Sequence, residues 1–262
     1  MPIDRDAPIT NIRTFGEYYL FSLESASVAG GARPGQFVMV RVAEGQFPLL
    51  RRPFSLHDAS EGRIELFFSI AGMGTEILAR KRPGETLDLL GPLGKGFSVT
   101  SALKGKTAFL VGGGRGIAPL YFLARELLAK EARPVLIYGG RREADLPLRE
   151  KFEARHVPVI CSTDDGSYGT RGLITEPLSR EIERGRPDIL FVCGPDPMMK
   201  AVADVAATTG VPAEFSLESI MGCGMGACWG CVNRIKDGTG AGWVKICEEG
   251  PVFPGDRIVW AD

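Results

Sequence analysis

Four cysteines near the end of this 262-residue chain carry its clearest chemistry. Cys223, Cys228 and Cys231 stand in MGCGMGACWGC, separated by four residues and then two, and Cys247 follows in KIC. That spacing is the ligand run of a plant-type [2Fe–2S] cluster, in which one tight loop supplies three thiolates and a later segment the fourth. Glycines at 222, 224, 226 and 230 suit such a loop, which needs positive φ and backbone N–H groups turned toward sulfur. Two plainer readings compete: a structural zinc site, which usually takes its cysteines as two CxxC pairs, and buried thiols without a ligand. The spacing favours the cluster, and with it an electron carrier.

Other residues could handle phosphates and rings. Gly112, Gly113, Gly114 and Gly116 lie in VGGGRGIAPL, where an apolar strand meets a helical pattern and a dinucleotide phosphate could approach the backbone. A Gly-rich turn can also serve only to seat helix on strand, and Pro119 fits a first helical turn. Arg52, Pro53, Phe54 and Ser55 form RPFS; an Arg can hold a pyrophosphate, a Ser can touch a flavin edge, and a Phe can cover its face. Read alone, those four residues are better taken as an ordinary strand with an exposed Arg. Gly74 and Thr75, within GMGT, make a second candidate phosphate turn. Cys193, Gly194 and Pro195, with Met198 beyond, end an apolar run and so belong at the carboxyl edge of a sheet. Cys193 has no His in its motif, and the chain holds only His57 and His156, which argues against a His-based hydrolase.

Two kinds of element must position these groups. Up to about residue 100, YYLFSLES, GQFVMVRVA, RIELFFSIAG and ETLDLLGPLG alternate with turns and predict an antiparallel β-barrel. From TAFLVGGG onward, strand and helix alternate four times, through RPVLIYGG, VPVICST and DILFVCGP, which predicts an α/β domain with a parallel sheet. After VPAEFSLES the pattern gives out, and the Gly/Cys-rich tail is too small to build much core by itself. The expected domains are a barrel over 1–100, an α/β domain over 101–212 and a small cluster-binding segment over 213–262. With 44% hydrophobic and 24% charged residues and a net charge of −1, the composition is that of a soluble globular protein and proposes neither nucleic acid nor membrane as partner. No segment has the apolar length of a signal peptide or spanning helix, so a cytoplasmic location is expected.

Taken in order, RPFS, GMGT, GPLGKGF, VGGGRGIAPL, STDDGSYGTRG, FVCGPDPMMKAV, FSLESIMGCGMGACWGC and KICEEGPVF resemble the electron-transfer subunits of type B dihydroorotate dehydrogenases, within the ferredoxin–NADP reductase-like flavoproteins. The resemblance implies an FAD-binding barrel, an NAD-binding domain and a [2Fe–2S] segment. It implies that Arg52 to Ser55, Phe67, Phe68 and Ser69, and Gly74 and Thr75 hold FAD. By the same resemblance Cys223, Cys228, Cys231 and Cys247 hold the cluster. It further implies a catalytic partner that carries FMN and oxidises dihydroorotate in pyrimidine (UMP) biosynthesis, in a heterotetramer of two of each chain. Electrons would enter at the cluster, collect on FAD and leave as hydride to NAD⁺. Ser69 stands where the family usually has a basic residue, Arg115 where it is usually apolar, and Ile220 where an Arg is common.

The residues themselves also ask for a partner. Barrel, dinucleotide domain and cluster segment consume the chain and leave no domain for an organic substrate, for which a TIM barrel would need about 250 residues more. Nicotinamide exchanges electrons in pairs and a cluster singly, so a flavin must stand between them. The alternatives are another FAD and [2Fe–2S] NAD(P)H-linked reductase subunit, of ferredoxin reductase or sulfide dehydrogenase type, or a non-catalytic redox-sensing or zinc-binding protein. NAD is expected over NADP, because Asp164 and Asp165 would repel a further phosphate; Arg141 and Arg142 are the opposing residues.

Overall fold

The computed structural model describes residues 2–45, 47–236 and 240–260. Six strands close the N-terminal barrel: β1 (Ile3–Phe15), β2 (Tyr18–Glu24), β3 (Phe37–Arg41), β4 (Arg52–Ser60), β5 (Arg63–Ser69) and β6 (Thr86–Leu93), in the order β1-β2-β5-β4-β3-β6. Two of its hairpins have two-residue loops. In the β4–β5 loop both Glu61 and Gly62 take positive φ, the turn whose twist matches that of paired strands. Alternating residues fill the interior, where Phe21, Phe54 and Phe68 meet edge to face. A single turn, α1 (Ala26–Ala29), follows β2, and the short helix α2 (Met73–Ala79) follows β5.

The α/β region begins with β7 (Thr107–Gly113), which is buried along nearly its whole length, as a strand covered by helices on both faces must be. It continues through α3 (Leu120–Ala129), β8 (Arg133–Gly140), α4 (Arg149–Glu153), β9 (Val159–Thr163), β10 (Thr170–Arg171), α5 (Thr175–Arg184), β11 (Ile189–Cys193) and α6 (Asp196–Thr209) to β12 (Ala213–Ser216). Beyond lie β13 (Val232–Lys236) and β14 (Ala241–Lys245), paired as a ribbon, then α7 (Ile246–Glu249) and β15 (Val252–Pro254). The sheet order is β10-β9-β8-β7-β11-β12-β15, parallel except for β15. The fold is therefore the expected one: a closed antiparallel barrel and a parallel α/β sheet. AEFS, just before the repeating pattern gives out, is the sheet strand β12.

Two compact units emerge. One holds residues 1–96, 218–233 and 243–251; the other holds 97–217, 234–242 and 252–262. All four cluster cysteines therefore fold with the barrel, while the last strand joins the sheet. Among the described residues no helix is long and apolar enough to cross a membrane.

Candidate functional site

The thiol loop is built from glycine. Gly224 and Gly226 have φ of +74° and +81°, a conformation that side-chain-bearing residues resist. The loop turns its N–H groups onto sulfur: Met225 and Cys228 donate to Cys223 Sγ, each at 3.4 Å. Gly226 donates to Cys247 Sγ at 3.1 Å and Cys247 to Cys231 Sγ at 3.4 Å. The thiols form two close pairs, Cys223 with Cys228 and Cys231 with Cys247. Among the described residues, no group of three or more His, Cys, Asp or Glu side chains is set to hold a single ion. Two thiol pairs suit a two-iron centre with two thiolates per iron, and N–H groups aimed at sulfur suit its anionic charge. The residues therefore fit the cluster.

Electrostatics divides the thiols. Burial works to raise Cys223, but the N–H bonds from Met225 and Cys228 outweigh it and bring the thiol down to about 7. Burial and then the neighbouring Cys231 thiol push Cys247 up to about 12, with the Gly226 N–H opposing. Cys228 is exposed, and Cys231 and Cys247 are buried.

On the barrel, Arg52 runs across the turn that opens α2. A Cβ on Gly74 would lie 2.8 Å from Arg52 Nε and 3.1 Å from its Cγ, so only glycine lets the guanidinium cross there. Thr75 ties the turn, accepting from the N–H groups of Ala71 (2.8 Å) and Gly72 (3.2 Å) and donating to the Gly72 carbonyl (2.8 Å). Pro53 and Ser55 are half-buried on one side of β4, while Phe54, on the other, is buried edge-on to Phe68. Strand alternation turns the Phe54 ring to the face opposite Pro53 and Ser55, toward the core. Phe67 stacks on Tyr18 at 5.6 Å and Phe68 on Tyr19 at 5.4 Å, and Ser69 is buried opposite Tyr18. Phe68 thus packs inside the barrel beside Phe21 and Phe54, while Phe67 and Ser69, on the alternate side of β5, pack with Tyr18.

In the sheet, β7 lies between β8 and β11, so successive connections leave it on opposite sides. That switch point is where open α/β sheets bind ligands, at the strand carboxyl ends. Gly112, Gly113, Gly114 and Gly116 end β7 there, and Cys193, Gly194 and Pro195 end β11. Gly113 and Gly116 serve close packing: a Cβ on the first would strike the Met198 sulfur, and one on the second the Cys193 carbonyl. A Cβ on Gly112 would come within 3.0 Å of Leu120 Cδ1. Gly114 differs, with φ +51° and nothing within 4 Å of an added Cβ. Its carbonyl accepts a 3.1 Å bond from the Tyr138 hydroxyl. Gly114 is thus the member of the run with room for a phosphate, and Arg115 beside it is exposed.

Arg141 Nε is 2.9 Å from the buried Asp145 carboxylate. Asp165 accepts from the Ser167 hydroxyl (2.6 Å) and N–H (2.9 Å), bonds that hold its carboxyl below the usual range. Sequence reasoning missed Met39, which lies under the thiol loop, and Glu248, whose carboxylate fills the space beside Gly226. No local signal marks either, because both contacts join segments far apart in the chain.

Barrel, doubly wound sheet and four-thiol loop together define an iron–sulfur oxidoreductase of the ferredoxin–NADP reductase-like class. Residues 218–259 match the family model of the iron–sulfur cluster binding domain of dihydroorotate dehydrogenase B, and residues 110–204 match the oxidoreductase NAD-binding domain. The chain is 39% identical to a dihydroorotate dehydrogenase B (NAD(+)) electron transfer subunit from Desulforamulus reducens and 42% identical to one from Bacillus caldolyticus, each match covering 92% of both chains. It belongs to that family of electron transfer subunits. A solved NADH-dependent reduced ferredoxin-NADP oxidoreductase structure is 30% identical, with a TM-score of 0.84 over 98% of this chain and 91% of the other. A ferredoxin reductase of carbazole 1,9a-dioxygenase, at 22% identity, shares the fold with a TM-score of 0.67 over 82% of this chain and 69% of that one.

Proposed function

We propose that this chain carries electrons between a dihydroorotate-oxidising partner and NAD⁺ in pyrimidine biosynthesis, using a [2Fe–2S] cluster and FAD. The observation that carries the reading is the pairing of four thiols under backbone N–H groups in the unit that also bears the Arg52–Gly74 cradle. When bound, the flavin exchanges a hydride pair with nicotinamide and single electrons with the cluster. Arg52 and the Gly74–Thr75 turn hold the FAD pyrophosphate, Pro53 and Ser55 face its ring, and Phe54, Phe67, Phe68 and Ser69 brace the strands beneath. Gly114 admits the NAD phosphates, the neighbouring glycines bring β7 and β11 together, and Cys193, Gly194 and Pro195 border the nicotinamide. Cys223 and Cys228 hold one iron, Cys231 and Cys247 the other.

NAD is the preferred nicotinamide. Asp165 stays ionised through its Ser167 bonds, and the Arg141 guanidinium is engaged by Asp145; both disfavour a 2′-phosphate. The steady-state kcat/KM with a dye acceptor is expected to be higher for NADH than for NADPH, and a clear NADPH preference would overturn this assignment.

The partner carries FMN and joins this chain in a heterotetramer of two of each. Ile220, Met225, Trp229 and Trp243, all on the barrel unit and exposed by 46 to 88%, supply the apolar and aromatic character of an interface core. A cytoplasmic location agrees with six free cysteines. The test is anaerobic purification with cofactor analysis: flavin absorption and broad [2Fe–2S] bands, with about two irons and one FAD per chain. Stoichiometric zinc without iron would refute the reading. A co-purifying partner without FMN would shift it to another flavin and iron–sulfur reductase.

A further inference from the structure

Strand β3 presents two faces. Val38 pairs with Phe54, whose ring lies in the aromatic core, whereas Phe37 and Met39 pair with Ser55 and Pro53 on the outer side. Pro53 and Ser55 are half-buried there, yet Met39 beside them is 0% exposed. The thiol loop covers it. A Cβ on Gly224 would strike Met39 Cγ, lie 2.9 Å from its sulfur and 3.4 Å from Leu93 Cδ1. Leu93 pairs with Phe37, so the loop rests on a patch shared by β3 and β6. Gly224 stands directly between Cys223 and Met225, whose N–H reaches the Cys223 sulfur.

We propose that Met39 is a positioning residue for electron transfer: its side chain is the spacer that holds the thiol loop over the outer face of β3, beside Pro53 and Ser55, and sets the separation of cluster and flavin. The inference rests on the reading above, in which Arg52 to Ser55 hold the flavin. An unbranched thioether conforms to a bare glycine backbone, and Leu would preserve its volume while Ala would leave a gap. A loop that sinks into that gap, or spans it loosely, displaces the iron.

The test compares holoprotein carrying Met39, Met39→Leu or Met39→Ala, each mixed anaerobically with NADH. Each NADH leaves as NAD⁺ after giving a hydride to the flavin, one of whose two electrons passes on to the cluster, which takes a single electron, while the other stays with the proton on the flavin. Stopped-flow absorbance separates flavin bleaching from cluster bleaching, and visible circular dichroism of the oxidised protein reports cluster geometry. Single-turnover rate constants do not depend on the fraction of molecules loaded. Met39→Leu is expected to match the parent, whereas Met39→Ala changes the rate constant for cluster bleaching several-fold, upward for a loop that sinks and downward for one that spans the gap loosely, and alters the circular dichroism bands. Equal rates in all three proteins, or an equal change by Leu and Ala, would overturn the spacer role. A parent chain lacking flavin or iron would instead refute the functional reading beneath it.

Discussion

Cys161 and Cys228 are both free thiols placed in opposite surroundings, and their environments predict opposite behaviour. Burial pushes the Cys161 thiol up to about 11, with Arg149 opposing and Glu153 adding to the rise. The folded state therefore keeps this proton at pH values where an unfolded thiol, of ordinary value 9.0, has lost it. The stabilisation is complete below pH 9 and is lost as pH climbs toward 11. Cys161→Val removes that dependence, so its urea midpoint should fall less steeply from pH 9 to 11 than the parent's; parallel profiles would contradict the assignment. Cys228 is exposed in the loop and is one of the four thiols proposed to hold the cluster. Cys228→Ser should abolish the cluster bands and iron content while most flavin remains, because the residues proposed to hold the flavin lie on β4 and α2. Loss of both cofactors together would show that the two sites are not separable.

At the scale of elements, the short helix α2 matters through its first turn. Gly74 lets the Arg52 side chain cross within 3.4 Å of where a Cβ would stand, and Thr75 locks the backbone with three hydrogen bonds. Gly74→Ala displaces the guanidinium without touching the core. A lost charge-assisted bond to phosphate is worth about 1.5–3 kcal/mol, so flavin affinity should fall at least about tenfold, read by fluorescence titration of flavin-depleted protein. An unchanged affinity would remove Arg52 from the pyrophosphate site. Gly139 makes a contrasting case within the sheet: a Cβ there would meet Ile174 Cβ at 2.9 Å. Its replacement by Ala is a packing error of about 1–3 kcal/mol, to be seen in thermal melting rather than in flavin binding.

For the whole molecule, the described elements form a barrel, a sheet, a two-stranded ribbon and the turns and short helices around the thiol loop. The isolated chain should pass electrons from NADH to artificial acceptors and show no dihydroorotate oxidation. Robust oxidation of dihydroorotate by this chain alone would refute the division of labour. The partner face carries its own expectation. A charge at Trp229, which is 59% exposed with Lys245 Nζ 4.9 Å from its ring, should weaken association with an FMN-containing dehydrogenase while leaving the cluster spectrum intact. Complex formation unchanged in size-exclusion chromatography would move the interface elsewhere.

The cysteine spacing, the run of glycines after TAFLV and the change of hydrophobic period near residue 100 are local patterns. They were sufficient for the cluster, the glycine turn between strand and helix and the two kinds of architecture, because each depends on neighbours in sequence. Three matters were decided only in three dimensions. The inward turn of Phe54 follows from which side of β4 faces the barrel interior, and a four-residue block cannot say so. The division of labour among the glycines, with Gly113 and Gly116 packed against the end of β11 and Gly114 open, depends on a strand some 75 residues later that becomes the neighbour of β7. The allegiance of the thiol loop to the barrel rests on the contact of Gly224 with Met39 and Leu93, since a segment too small for its own core must borrow one.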